Sequence, residues 1–362
     1  VNTTECLNYS DFQHLRALAQ HYQCECNHYS KQDLLKRLHV ALHNRQEFVR
    51  ELQLLDPSKL RFLQFLLYDE RDVYGIDDLL LRARFAEFSG KETVSPRALI
   101  AEFKKRGWLF VCPHARKQQL FQMPHDLRAL YAREWIQSSL AETILAPIPS
   151  QFRHEKQWLL DDLRLLLTLI GDQGVALTQT GTIAKKWLQH FMNQCAVPES
   201  LQIEGWRFGY GRSARAYPHR FSLLYDFVCA QKWLVETSDR VKLTEHGKHM
   251  LELSAVDHWP LMFRFWLRTY QRAIPNIFAL VQMMRALSVH WIAMDTLVQL
   301  VQHFVKPFYY DEPEQVLRMR LIPMMISFGV FRVAKIDEDT IILQSLEENT
   351  NPLKSIANKN RL

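Results

Sequence analysis

Glycine is scarce in this chain, at 11 residues in 362. Gly-rich phosphate loops, large antiparallel sheets with tight turns and flexible linkers all need more of it, so none is expected to dominate. Long apolar runs are missing as well. The strongest, Leu159 to Ile170, is broken by Asp161, Asp162 and Arg164, and none reaches the roughly 18 uninterrupted apolar residues of a membrane span. Val1 to Tyr9 is polar and lacks the basic start and apolar run of a secretory signal. Cysteine is thinly spread: Cys6, Cys24, Cys26, Cys112, Cys195 and Cys229 read as reduced thiols in a cytoplasmic protein, with no staples needed.

Catalytic signatures are also lacking. There is no Gly-x-Ser-x-Gly elbow, no His-Glu-x-x-His helix and no Gly-x-Gly-x-x-Gly, since Gly209-Tyr210-Gly211 leads to Ala214 where a glycine is required. Gly90-Lys91 continues with Glu92 and Gly247-Lys248 with His249, so no Gly-Lys-Ser or Gly-Lys-Thr phosphate loop exists. His21, Cys24, Cys26 and His28 are close in sequence. Only one residue separates the two cysteines, whereas paired zinc ligands are normally two to four apart, so a Cys/His-rich surface loop is expected here and no metal. The expectation is a protein that is not an enzyme and carries no cofactor.

What the chain does have is helix-forming sequence, aromatics and a mild basic excess. Nine Trp among 12% aromatic residues supply several cores, and the length suits two to four domains. A net charge of +6 permits binding to phosphate backbones without demanding it, so the placement of charge matters more than its sum. The fold class expected is mainly α with short β-hairpins.

The first unit, 1–50, reads as helix, connector, helix. Ser10 or Asp11 caps a helix through about Tyr22, and Ser30 caps a second, with Asp33 as its acidic third residue and Leu34, Leu35, Leu38 and Leu42 as its apolar stripe. Lys31, Lys36 and Arg37 are its basic positions. From Asp56-Pro57 a helix is expected to about Tyr68, then another over Asp77 to Phe88. A third follows Ser95-Pro96 and runs to Gly107, after which Trp108 to Cys112 and Gln119 to Met123 read as two short strands. Three helices and a hairpin make the winged-helix pattern, whose third helix enters a groove and whose hairpin loop is the wing. The helix-then-hairpin ending returns at Trp233 to Leu243, after a helix over His219 to Gln231. It returns again at Val330 to Gln344, after helices over Trp291 to Val305 and Glu314 to Ser327. The expected domains are a helical module at 1–50 and winged-helix domains at 51–146, 151–256 and 257–346, with a polar tail at 347–362.

Two families enter here. The first unit is similar to SAP-like and Rho N-terminal modules, in which a Lys-bearing second helix recurs. The stretch Phe103-Lys104-Lys105-Arg106-Gly107-Trp108-Leu109 with Met123-Pro124-His125-Asp126-Leu127, and Leu177-Thr178 through Gly181, Lys185 and Lys186 to Val241-Lys242-Leu243-Thr244 and Gly247, resemble the winged-helix accessory region of bacterial XPB-type helicases. The resemblance implies an accessory region without its motor, with nucleic acid and a helicase or other DNA-processing protein as partners.

The candidate contacts to nucleic acid follow from composition. Trp206, Arg207, Tyr210, Arg212, Arg215 and Arg220 interleave cations for phosphates with rings for bases. The alternative is an Arg–aromatic loop that docks one domain on another. A second group is Lys104, Lys105 and Arg106 at the end of the third helix, with Arg116 and Lys117 in the adjoining wing; cations there also complement a helix dipole. Lys31 joins from the first unit. The third hairpin turn, Asp337-Glu338-Asp339, is acidic and suits protein contact. The expected function is a non-catalytic DNA-binding accessory factor. The competing one is a protein-interaction scaffold or transcription regulator that uses winged helices as docking surfaces.

Overall fold

The computed structural model describes residues 1–88, 95–113, 119–171, 173–202, 217–253 and 255–346. The chain divides into two compact units, residues 1–144 with 278–287, and 145–277 with 288 onward. Both are mainly helical, with strands confined to small antiparallel sheets.

The first unit runs through α1 (Thr3–Tyr9), α2 (Phe12–His21), α3 (Lys31–Leu42), α4 (Arg45–Gln53), α5 (Pro57–Tyr68), α6 (Ile76–Ala86) and α7 (Pro96–Lys105). The strands β1 (Phe110–Val111) and β2 (Phe121–Gln122) then lead into α8 (His125–Leu140). Polar side chains start six of these eight helices: Asn2, Asp11, Ser30, Asn44, Asp56 and Ser95 each accept a hydrogen bond from a first-turn N–H that has no partner within the helix. Pro57 and Pro96 follow the last two caps, where the missing N–H costs nothing.

One aromatic core joins the N-terminal helices to the rest of this unit. Phe48 of α4 stacks on Tyr131 of α8 with ring centroids 3.9 Å apart, and buried Trp108 meets Phe48, Phe103 and Tyr131 edge-on. The Tyr131 hydroxyl, sealed from water, donates to the Leu42 carbonyl at 2.7 Å. Gly107 ends α7 with φ +66°, and a Cβ there would lie 2.9 Å from Leu42 and 3.1 Å from Leu18. The turn out of α7 thus requires glycine both for its backbone and for the close approach of α2 and α3.

The second unit opens with α9 (Lys156–Ile170), β3 (Val175–Ala176), α10 (Lys185–Met192) and α11 (His219–Ala230). β4 (Leu234–Glu236), β5 (Arg240–Leu243), α12 (Glu245–Glu252) and α13 (Trp259–Gln271) follow. Next comes α14 (Ile277–Leu287), whose residues from 278 belong to the first unit, where buried Gln64 faces the Met283 sulfur. The chain continues as β6 (Ile292–Ala293), α15 (Met294–Val301), α16 (Pro313–Gln315), a π-helical stretch over Val316–Leu321, α17 (Ile322–Ser327), β7 (Phe331–Lys335) and β8 (Ile341–Ser345). The region near His258 lies inside this unit: His258 is buried with its ring 4.8 Å from that of Trp233. The proline-rich stretch after Ile144 is laid along the last sheet. The Ala146 N–H donates to the Trp291 carbonyl, and Arg153 exchanges both backbone hydrogen bonds with Val333.

The same order of elements occurs three times. A helix is followed by a very short strand, two helical segments and a hairpin, and the short strand pairs with the hairpin's second strand. The sheets are ordered β3-β5-β4 and β6-β8-β7. In the first occurrence the short strand shrinks to Tyr74, which exchanges two 2.8 Å hydrogen bonds with Phe121. These edge strands correct the sequence reading, which ran a helix from Trp291. The helix begins at Met294 because Ile292 and Ala293 are held extended by β8. Two residues are too few for alternation to register. The helix expected over Glu314 to Ser327 changes pitch before Pro323, whose ring nitrogen cannot donate to the preceding turn, and the π-helical stretch takes up the mismatch.

Candidate nucleic-acid interface

α7 sends Leu99, Ile100 and Phe103 into the core and leaves Arg97, Ala98, Ala101 and Lys105 on its exposed face. Beside that face lies the start of α2. The two helices bound an open cleft of about 330 Å³, lined by Asp11, Gln13, His14 and Ala17 on one side and by Ala101, Lys104 and Lys105 on the other, with Leu18 in its lining. Lys105 is exposed. Lys104 is half-buried, with its ammonium 5.5 Å from the centre of the Phe121 ring, a cation–π contact that aims the long side chain across the hairpin. His14 stacks on Phe110 at 5.9 Å. Burial, helped by the Lys104 charge, holds the His14 ring below its ordinary pKa, so it is neutral at pH 7. Asp11 accepts from the His14 N–H at 2.7 Å and is thereby committed to capping α2. The cleft therefore offers phosphate oxygens the Lys105 ammonium and the Gln13 amide, with Lys104 in its wall and the Asp11 carboxylate as the anion in its lining.

Arg106, one residue further, is turned inward and corrects the reading that placed it with the two lysines. Its guanidinium contacts Glu51 and lies 2.8 Å from Glu102, while its carbonyl accepts from the Tyr22 hydroxyl at 2.6 Å. Only 9% of the residue is exposed, so its charge joins α4 to α7 and does not face solvent. Lys31 stands at the first position of α3, exposed, with its ammonium 3.0 Å from the Asn8 carbonyl in the last turn of α1. That carbonyl is one the helix cannot satisfy itself, so Lys31 has a structural task as well as an exposed charge. Lys36 and Arg37 are exposed on the same helix.

Arg220 departs furthest from expectation. It is 4% exposed near the start of α11, with Nε 2.9 Å from Asp162 and Nη1 2.9 Å from Glu155, both also buried. Glu155 meets Arg153 on its other side at 2.8 Å. Burial raises the Asp162 pKa although Arg220 pulls it the other way, and the half-buried Cys195 thiol beside it is raised as well. Glu199 accepts from the N–H groups of Arg220 and Phe221, capping α11 from a distance in sequence. With both carboxylates in place Arg220 has no reach to a phosphate. Trp206, Arg207, Tyr210, Arg212 and Arg215, like Arg116 and Lys117, lie outside the described residues.

Sequence reasoning missed His14 and Gln13. They lie on α2, about ninety residues before α7, and only tertiary packing makes them neighbours. The acidic turn expected to suit protein contact is internally satisfied: Asp337 accepts from the N–H groups of Asp339 and Thr340, which holds its carboxyl below the usual range. Among the described residues no three His, Cys, Asp or Glu side chains converge on a point that a metal could occupy, and no helix is long and apolar enough to cross a membrane. Compared with known families and curated sequences, the chain matches no family model and no relative.

Proposed function

We propose that this protein is a non-catalytic nucleic-acid-binding accessory factor, acting on DNA in repair, recombination or helicase-linked processing. In this reading its repeated segments are tandem winged-helix domains behind a SAP-like helical module, working in the cytoplasm beside a helicase or another DNA-processing protein. The observation that carries it is the cleft between α2 and α7, where Lys104 and Lys105 stand on the third helix of the first repeat, next to its hairpin. The recurrence of helix, edge strand, two helical segments and hairpin supports the winged-helix reading, since a third strand closing the hairpin sheet is the usual partner of that helix arrangement.

The test is binding of the full chain to single-stranded, duplex and forked DNA across a salt series. Each lysine that neutralises a phosphate contributes about 0.7–0.9 to the slope of log affinity against log salt. Lys104→Ala with Lys105→Ala should therefore weaken binding and flatten that slope by about 1.4–1.8. Absence of binding to all three DNAs at low salt overturns the reading.

A second reading, a protein-docking scaffold, is favoured by one observation in the second unit. α11, the third helix of the second repeat, is enclosed on nearly all sides from Arg220 to Val228, so no face of it is left for a groove. A partner held on such a unit would bind with little dependence on salt.

A further inference from the structure

From Gln173 to Pro198 the second unit carries no aspartate or glutamate. The stretch holds β3, the turn after it and α10. Along α10 the buried positions are Leu188, Phe191 and Met192, which leaves Lys186, Gln189, His190 and Asn193 exposed at spacings of three, four and seven residues. Side chains so spaced lie above one another on a helix, so the four make one solvent stripe, with exposed Lys185 along its edge. The stripe is held in place at both ends. The turn before it is closed by the Thr178 N–H donating to the Thr182 carbonyl at 2.7 Å and the Gly181 N–H donating to the Thr178 carbonyl at 2.9 Å. The Ile183 N–H then donates to the hydroxyl of buried Tyr217 at 2.9 Å. Further along, the Gln189 amide donates to Asn193 at 3.0 Å.

The carboxylates on neighbouring elements have other partners. α10 packs on α9 and α11. Asp161 belongs to the outer stripe of α9, where Gln157 donates to it at 2.9 Å, while Asp162 is buried with Arg220 and Asp226 accepts from Ser222. Glu199, just past the stretch, accepts from the first N–H groups of α11. On the hairpin, Glu236 accepts from the Tyr225 hydroxyl. Asp239 stands at the base of the turn, where its carbonyl accepts from the Leu177 N–H and its carboxylate takes the Thr237 hydroxyl. Arg240 is next to it and donates to the Gln173 carbonyl at 2.7 Å. The charges on α10 and at the base of its turn are thus Lys185, Lys186 and Arg240 against Asp239.

We propose that α10, and not α11, is the helix through which the second repeat contacts duplex DNA, with Lys185 and Lys186 on phosphate oxygens and Gln189 and Asn193 as neutral donors beside them. The inference rests on the proposed function and adds a second site to it. α11 is enclosed from Arg220 to Val228, whereas α10 turns a basic stripe to solvent. That stripe holds no Phe, Tyr or Trp. Trp187 lies at its border with its ring parallel to buried Phe191 at 5.9 Å. Unstacked bases are held on exposed rings, so a stripe of cations and amides fits the backbone of a duplex and not the bases of a single strand.

The probes are a fluorescein-labelled duplex of mixed sequence and an oligothymidylate of equal length, each titrated with the full-length chain across a salt series. Lys185→Ala with Lys186→Ala should lower the duplex salt slope by about 1.8, at about 0.9 for each phosphate contact. Lys185→Arg with Lys186→Arg keeps the charge and should bind like the parent. Gln189→Ala with Asn193→Ala should weaken duplex binding about 2- to 10-fold per lost hydrogen bond and leave the slope unchanged. All four positions are exposed, so the melting temperatures should stay at the parent's value. If the Lys185/Lys186 Ala pair binds duplex like the parent while Lys104→Ala with Lys105→Ala binds more weakly, α10 is no DNA site and the accessory-factor reading stands. A loss of oligothymidylate binding with duplex binding kept overturns the duplex assignment. An equal loss in the Ala and Arg pairs does not come from charge and overturns the proposal as well. If the parent binds neither DNA at low salt, both readings fall.

Discussion

The ends of two third helices carry basic residues, and they put them to opposite uses. At the end of α7, Lys104 and Lys105 remain at the surface beside a cleft while Arg106 turns inward to Glu51 and Glu102. At the start of α11, Arg220 is enclosed with Glu155 and Asp162. What separates the two outcomes is the supply of buried carboxylates. A guanidinium is planar, weakly hydrated and able to serve two acceptors at once, so where two carboxylates are folded inward it is drawn in with them. An ammonium on a flexible stem stays in water. The lesson is that a cluster of cations is not one object: its arginines and lysines can be assigned separately once nearby acidic residues are located.

The strongest way to break this comparison is to remove the buried guanidinium. Arg220→Ala leaves Glu155 and Asp162 enclosed without their cation and should destabilise the second unit by about 3–5 kcal/mol, read in urea denaturation. A loss below about 1 kcal/mol would mean that the two carboxylates reach water or neutralise at no cost. Gly107→Ala should come next, costing the first unit at least about 1–2 kcal/mol from its left-handed backbone alone, before the contact with Leu42 is counted. At the small end, Lys105→Ala should leave stability within about 0.5 kcal/mol, while Lys104→Ala also gives up its contact with Phe121, worth about 0.5–1 kcal/mol; melting curves of both variants show whether the binding test is free of folding effects.

Acidity sharpens the contrast further. His14, His21 and His39 all lie in the first unit with pKa values lowered, chiefly by burial. The charges of Lys104 and Arg106 assist at the first two, and His43 assists at the third. For a lowered histidine pKa the unfolded chain takes up the proton first, so the stability it contributes is present above pH 6.5 and is lost as pH falls through the folded value. In the second unit Asp162 is raised, with the opposite sign: its contribution is full below the ordinary aspartate pKa of about 3.9 and is lost as pH rises through the folded value. Hydrogen exchange followed from pH 7 to pH 5, corrected for the intrinsic rate, should show protection falling more in the first unit than in the second. Equal loss in both would mean the three histidines are solvated.

How much of this was legible in sequence depends on the range of the interaction. The caps at Ser30, Asp56 and Ser95, the apolar stripes and all three hairpins rest on contacts a few residues long, and these are found where the sequence points. Edge strands two residues long were not legible, because their partners lie about fifty residues or more away and period-two alternation needs more positions to appear. The candidate site divides the same way. Lys104 and Lys105 follow from helix periodicity and chain position. The inward turn of Arg106 depends on Glu51, and that of Arg220 on Glu155 and Asp162, which are 55 to 65 residues away and look like surface carboxylates in their own helices.

Glu199 has a consequence for how α11 begins. The residue before that helix is Pro218, whose side chain offers no acceptor, so the helix has no cap of its own. By accepting from the N–H groups of Arg220 and Phe221, Glu199 supplies the missing cap and sets a carboxylate at the positive end of the helix. The start of α11 is therefore fixed by a side chain borrowed from elsewhere in the chain.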